Sequence, residues 1–327
     1  MWPGDRPIRS LPLLTLYLTE RCNSRCVSCD YWRHGRADVT VESVQRLLPD
    51  LALLRTRQVL ISGGEPLIHP QWAEIAQLLR AGGLELWLLT SGLSLAKHAT
   101  RVCALFQSIT VSLDGTDAAM YASIRGLDAF EAVCSGIRAA SDLGARVGVR
   151  VTVQRGNYRH LGGFVDLARQ CGAAQVSFLA ADVRNPHAFG RTSGAGDGIA
   201  LTAEDLPEFS MTLDALEREH ARDFSCGFIA ESPSKLRRLL QYYTALHGGS
   251  PFPATRCNAP EFSAVMEPGG RVNPCFFIRG PDATSSGTRL DDALNDARMR
   301  RLRADIRFGR RAECSGCVCT MWRGLDS

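Results

Sequence analysis

The sequence has no long apolar run. No stretch reaches the roughly 18 apolar residues that a membrane helix needs. The apolar stretch Leu11 to Leu18 is followed by Glu20, Arg21 and a cysteine cluster, where a signal peptide would carry its cleavage site. No membrane association is expected, and a cytoplasmic location is. Charge of one sign is lacking too: a formal net charge of +4 over 327 residues is too small to argue for nucleic acid as the main partner. There is no internal repeat and no long low-complexity segment, which excludes solenoids and linker-dominated chains. What remains is an ordinary globular composition, long enough for one large domain and a smaller one.

Cysteine is abundant, with twelve in the chain. Disulfide frameworks belong mostly to small exported domains, so thiols clustered in a reducing compartment point to metal. Cys22, Cys26 and Cys29 crowd together, and Cys257, Cys275, Cys314, Cys317 and Cys319 fall in the last 71 residues. The scattered Cys103, Cys134 and Cys171 fit as small buried hydrophobes.

Short β-rich runs alternate with amphipathic stretches over the first 180 or so residues. The runs are Leu13–Leu18, Gln58–Ile61, Leu84–Thr90, Ser108–Ser112, Arg146–Val153 and Gln175–Leu179. Thr40 is placed to cap one helix, and Phe130 to Leu143 forms another. Six β/α units with right-handed crossovers make an open barrel or a doubly wound sheet, with the ligand at the carboxyl ends of the strands. Arg184 to Ile199 is rich in Gly, Asn, Pro and Ser and is expected to be a loop. Thr202 and Asp205 form a capping box for a helix to about Arg222. A second helix, Pro233 to Leu246, carries Lys235, Arg237 and Arg238 and is expected to face solvent. His247 to Pro253 marks a boundary before the cysteine-rich tail.

Cys22-x3-Cys26-x2-Cys29 directly follows the first strand. Three thiolates can hold three irons of a 4Fe–4S cube and leave the fourth open. Zinc is the alternative, but it prefers four ligands, and the nearby candidate is His34. Gly63-Gly64-Glu65-Pro66 follows the second strand; the glycines let backbone come close to a ligand, and Glu65 offers an acceptor to an ammonium group.

The cysteine triad and the Gly-Gly-Glu-Pro turn resemble the signature of the radical S-adenosylmethionine superfamily. The resemblance implies a partial (β/α)6 TIM-like barrel over residues 1–182. It implies that Cys22, Cys26 and Cys29 bind a cluster whose open iron is chelated by S-adenosylmethionine. Ser28 stands where that family usually has a bulky residue, and it would contact adenine through its backbone. Gly63, Gly64, Glu65 and Pro66 would hold the methionine moiety. Thr90-Ser91-Gly92 resembles the family's turn after the third strand. Ser112-Leu113-Asp114-Gly115 resembles its ribose- and carboxylate-binding turn, which assigns Ser112 and Asp114 to the cofactor. Arg150 and Thr152 on the fifth strand, and Asn157 after it, sit where family members contact it.

In the tail, Cys257 and Cys275 flank a hairpin built from Phe262–Met266, a Pro-Gly-Gly turn and Arg271–Asn273. Cys314-x2-Cys317 follows a helical stretch from Arg289 to Arg307. Four thiolates suit either a cluster or zinc. The arrangement resembles the SPASM and twitch extensions of radical S-adenosylmethionine enzymes. The twitch form implies one auxiliary 4Fe–4S cluster on Cys257, Cys275, Cys314 and Cys317. It makes residues 251–327 the auxiliary domain and 183–250 a loop and helical linker. Cys319 is left over, as a substitute ligand or a hydrogen-atom donor, and Cys226 is held as a second candidate thiol.

The resemblance implies reductive cleavage of S-adenosylmethionine to a 5′-deoxyadenosyl radical, hydrogen abstraction from substrate, and a flavodoxin- or ferredoxin-type electron donor. An auxiliary cluster suggests net two-electron oxidation, a dehydrogenation. Such a reaction needs a base; Asp182, with Arg184 and His187, lies just past the sixth strand. About a dozen residues precede the first strand, so no leader-binding domain is expected, which favours a small-molecule substrate over oxidative modification of a peptide unless a partner protein supplies that domain. A redox-neutral rearrangement with a structural zinc tail is the alternative of another class.

Overall fold

The computed structural model describes residues 7–33, 35–186, 188–191, 198–282 and 289–324. Six parallel strands carry the first half: β1 (Leu13–Thr19), β2 (Gln58–Gly63), β3 (Glu85–Thr90), β4 (Ser108–Ser112), β5 (Val147–Val153) and β6 (Gln175–Ala180). Between them lie α1 (Val41–Leu53), α2 (Trp72–Ala81), α3 (Leu95–Leu105), α4 (Ala118–Arg125), α5 (Phe130–Asp142) and α6 (Leu161–Gln170). The fold is α/β, a TIM-like partial barrel with its strands in chain order. Thr40 caps α1 as expected, its hydroxyl accepting from the Ser43 amide.

Parallel sheets are usually covered on both faces and apolar throughout. Here burial alternates. Val147, Val149, Val151 and Val153 of β5 are buried, while Gly148 and Thr152 are only half-buried and Arg150 is exposed. β4 and β6 show the same alternation. One face is sealed in the hydrophobic core, and the other, which carries Thr152 and Arg150 on β5, is more exposed.

After β6 come α7 (Leu206–Glu219), α8 (Ala221–Ser225) and α9 (Pro233–Leu246). The capping box at Thr202 and Asp205 is present, but the helix breaks at His220 instead of running on to Arg222. The expectation that Pro233–Leu246 faces solvent is corrected. Its basic residues do, yet Leu236, Leu239, Tyr242 and Tyr243 are buried on its other side. The Tyr243 hydroxyl donates to the Val153 carbonyl at 2.6 Å and accepts from the Ala181 amide at 3.1 Å, closing the ends of β5 and β6.

The tail adds α10 (Ala259–Phe262), β7 (Ser263–Met266), β8 (Val272–Asn273), α11 (Leu290–Asn295), α12 (Ala297–Arg307) and α13 (Ala312–Ser315). The expected hairpin is there, and β7 pairs in parallel with β1, from Leu13 opposite Ser263 to Leu16 opposite Met266. The sheet thus runs unbroken as β6-β5-β4-β3-β2-β1-β7-β8. Asp296 caps α12, so the stretch Arg289 to Arg307 is two helices. Among the described residues no helix is long and apolar enough to cross a membrane.

Candidate functional site

The loop carrying Cys22, Cys26 and Cys29 leaves the carboxyl end of β1 and is held from four directions. Arg21 forks onto Asp38, which also accepts from Thr19, and this fixes the start of the loop. From β2, the amides of Gly64 and Glu65 donate to the Thr19 and Arg21 carbonyls at 2.8 and 2.9 Å. From α4, the carbonyls of Ile124 and Arg125 accept from the amides of Val27 and Arg25, using acceptors that a helix end otherwise leaves unpaired. From beyond β6, the Phe189 carbonyl accepts from the Asp30 amide, and the Arg191 guanidinium donates to the Ser28 carbonyl at 3.0 Å.

These contacts revise the reason for the glycines. A Cβ on Gly64 would run into the Arg21 carbonyl, and one on Gly63, whose φ is +120°, would lie 2.6 Å from the Thr19 carbonyl. The body they admit is the cysteine loop itself. Gly126 plays the same part: it ends α4 in the left-handed region, and a Cβ there would strike Arg25.

Glu65 is fully buried. Its Oε1 accepts from the Leu67 amide at 3.0 Å and the Thr90 hydroxyl at 2.7 Å, and its Oε2 from the Ser91 amide at 2.6 Å. Oε2 keeps capacity for one more donor. The Gly-Gly-Glu-Pro and Thr-Ser-Gly turns are therefore one unit, facing Cys22. Burial raises the thiol pKa of Cys22 to about 11 and of Cys29 to about 12, with the neighbouring thiols of the triad adding to it. The Ser24 and Ser91 hydroxyls are buried with no partner of their own. The Arg150 guanidinium has no ion-pair or hydrogen-bond partner among the described residues. Three grouped thiols, an oriented carboxylate, unpartnered hydroxyls and an unpaired cation fit a metal cluster with an amino-acid-bearing cofactor.

Other expected residues are already engaged. Asp114 is buried, with one oxygen on the Thr152 amide at 2.7 Å and the other on Arg125 at 3.0 Å. Asn157 donates to the Asp114 carbonyl, so it holds this turn. Ser112 remains half-buried beside them. Asp182 accepts from the Arg184 and Asn185 amides and pairs with Arg191, holding the loop that braces Ser28. Cys226 lies away from the site. Gly227 and Ile229 join Gln175 and Val176 at the opposite, amino end of β6, and the thiol is exposed there. His34 and His187 fall outside the described residues.

Cys257, Cys275, Cys314, Cys317 and Cys319 line one cavity in the tail with Phe276, Phe277 and Ile278. Burial pushes Cys314 up to about 11 and Cys275 up to about 12. Among the described residues no three Cys, His, Asp or Glu side chains draw close enough to grip one metal ion. The same holds for Cys22, Cys26 and Cys29, and the tail thiols around their shared apolar cavity suit either a cluster or zinc.

The two thiol sets approach each other through aromatic side chains the sequence did not single out. The Cys29 thiol donates to the Phe189 carbonyl at 3.5 Å, and the Phe189 ring packs edge-on against Phe277 at 5.8 Å. Tyr17 and Tyr31 pack edge-on at 5.7 Å. Burial raises the Tyr17 hydroxyl pKa, and Glu267, Cys29 and Cys275 are all near enough to add to it. Arg125, Arg191 and Phe189 were also missed. Arg125-Gly126 marks a helix end in sequence, but nothing local says what that end touches.

Residues 16–168 match the model of the Radical SAM superfamily. Among curated relatives, a GTP 3′,8-cyclase of Vibrio cholerae is 34% identical over 168 residues, 48% of this chain and 50% of that one. The Fe-coproporphyrin III synthase of Methanosarcina barkeri is 27% identical over 235 residues, 67% of this chain and 54% of that one. The chain spans about half the length of the curated relatives it matches. Among solved structures, Streptococcus suis SuiB bound to S-adenosylmethionine superposes with a TM-score of 0.68 at 14% identity, covering 92% of this chain and 69% of that one. The structure of anSMEcpe with bound AdoMet and a peptide gives 0.64 at 18% identity, covering 89% and 82%. Both likenesses concern the fold.

Proposed function

We propose that the chain, whose residues 16–168 match the Radical SAM superfamily model, acts as a member of that superfamily and catalyses a net two-electron oxidation of its substrate. Its cofactors are S-adenosylmethionine, a 4Fe–4S cluster and an auxiliary cluster. When bound, they supply reductive cleavage of S-adenosylmethionine to a 5′-deoxyadenosyl radical and an acceptor for the electron left on substrate. Cys22, Cys26 and Cys29 would hold the first cluster, and Cys257, Cys275, Cys314 and Cys317 the second. Glu65, fixed by Thr90 and Ser91, would receive the cofactor's ammonium group. Ser112 and Arg150 would meet its hydroxyls and carboxylate. The barrel face and the tail together would keep water from the substrate.

One observation carries the oxidation reading: the second thiol set stands against the first, across Phe189–Phe277 and Tyr17. An acceptor placed there is close to the chemistry, which a purely structural metal would not need. The test is iron content with EPR after anaerobic reconstitution. About eight irons in the wild type and about four in either the C22A/C26A/C29A or the C257A/C275A/C314A/C317A variant are expected. The tail variant should still cleave S-adenosylmethionine yet fail to complete turnover. A wild type with about four irons and one zinc would remove the acceptor and with it this reading. The cyclase names among the relatives favour the second reading, a redox-neutral rearrangement.

A further inference from the structure

Cys314 and Cys317 are joined through Ser315 and Gly316, and the backbone gives no reason for the glycine. Its φ is −124°, on the side of the map open to any L residue. The reason is Arg184. A Cβ on Gly316 would run into that guanidinium, its three nearest neighbours being Nη1, Cζ and Cδ of Arg184. Arg184 belongs to the barrel, in the loop after β6, where its amide donates to Asp182 at 3.0 Å. Its guanidinium lies 4.3 Å from the centroid of the Phe252 ring. One cation from the barrel is thus brought onto the thiol-bearing turn of the tail.

The turn does not depend on that cation for its shape. The Cys317 amide donates to the Cys314 carbonyl at 3.3 Å, and the Thr255 hydroxyl donates to the same carbonyl at 3.1 Å. Nor is the charge cancelled. Arg310 and Arg311, which border the same groove, are paired with Asp305 and Glu313. The Arg184 guanidinium has no ion-pair or hydrogen-bond partner among the described residues, and the ring it lies over is neutral. A four-thiolate cluster is anionic, and reduction adds one electron and no atom to it. A cation held beside it favours the reduced state, and net charge is among the factors that set cluster potentials. Arg184 is exposed to solvent, which moderates the effect without abolishing it.

We propose that Arg184 raises the reduction potential of a cluster bound by Cys257, Cys275, Cys314 and Cys317, and so poises it to take the electron left on the substrate radical. It is a positioning residue, acting through the turn at Gly316. The assignment rests on the two-cluster reading above.

The test is an EPR-monitored redox titration of the full chain, reconstituted anaerobically, in the C22A/C26A/C29A background, where the remaining iron belongs to the tail. Arg184→Met should make reduction up to roughly tenfold less favourable, a fall of about 59 mV for one electron, and the difference should shrink as salt rises. Arg184→Lys keeps the charge and should stay near the parent. Gly316→Ala keeps the arginine but displaces it, and should shift the potential the same way by less. Iron content should be equal in all of these proteins. About four irons with an unmoved potential in Arg184→Met overturns the assignment and leaves the two-cluster reading intact. An equal fall in Arg184→Met and Arg184→Lys overturns it too. So does iron lost from Arg184→Met, because the arginine would then be holding the turn. Zinc and no iron in the parent removes the cluster, and both readings with it.

Discussion

At the scale of the residue, the site rests on buried polar groups that each have several partners. Glu65, fully buried, takes three donors. Glu65→Gln turns one acceptor into a donor facing an amide or a hydroxyl. The expected cost is about 2–4 kcal/mol in chemical denaturation, with loss of S-adenosylmethionine binding by calorimetry. His69 is a second case. Its Nδ1 accepts from the Gln71 amide, so Nε2 carries the proton and donates to the Val39 carbonyl at 2.9 Å. Burial holds its pKa below the ordinary 6.5. The folded state therefore binds fewer protons than the unfolded one as pH falls below about 6.5, and stability drops. Melting temperatures between pH 7 and 5 should fall, and less steeply in His69→Gln. The grouping of Cys22, Cys26 and Cys29 and the turn at Glu65 were legible because their spacing is local. Asp114 and Asp182 were legible as turn residues, but their engagement by Arg125 and Arg191 depends on chain segments 9 to 11 positions away that fold back on them.

At the scale of the element, all six barrel strands could be read from short β-branched and leucine-rich runs. The pairing of β7 with β1 could not, because a strand's hydrogen-bonding edge carries no side-chain pattern. That pairing makes a prediction about the tail. A chain ending at residue 250 would expose the β1 edge and should self-associate on size-exclusion chromatography, where the full chain stays monodisperse. Gly64→Ala should leave the circular dichroism of the barrel nearly intact while iron uptake falls, since only the cysteine loop must move aside. The hidden face of α9 escaped notice because its tyrosines sit among basic residues. Tyr243→Phe should cost about 0.5–1.5 kcal/mol by removing its two hydrogen bonds, the Ala181 amide keeping its direct bond to the Val153 carbonyl at 3.0 Å.

At the scale of the whole molecule, barrel and tail share one sheet and meet again across Phe189 and Phe277. Phe189 holds a left-handed backbone (φ 56°) while its carbonyl serves both Cys29 and Asp30. Replacing it with glycine should relax the backbone but remove the ring contact. Iron binding by Cys22, Cys26 and Cys29 is then expected to persist, with the EPR signal of the tail cluster shifted. The cradle around the first cysteines also has a consequence for timing on the ribosome. Cys22 is made more than 100 residues before Ile124, Arg125, Phe189 and Arg191, which clamp its loop. At roughly 5–20 residues per second, the thiols wait on the order of ten seconds or more for those partners to emerge. During that interval they are open to oxidation, so metal loading at the proposed site is expected after those partners emerge and not before.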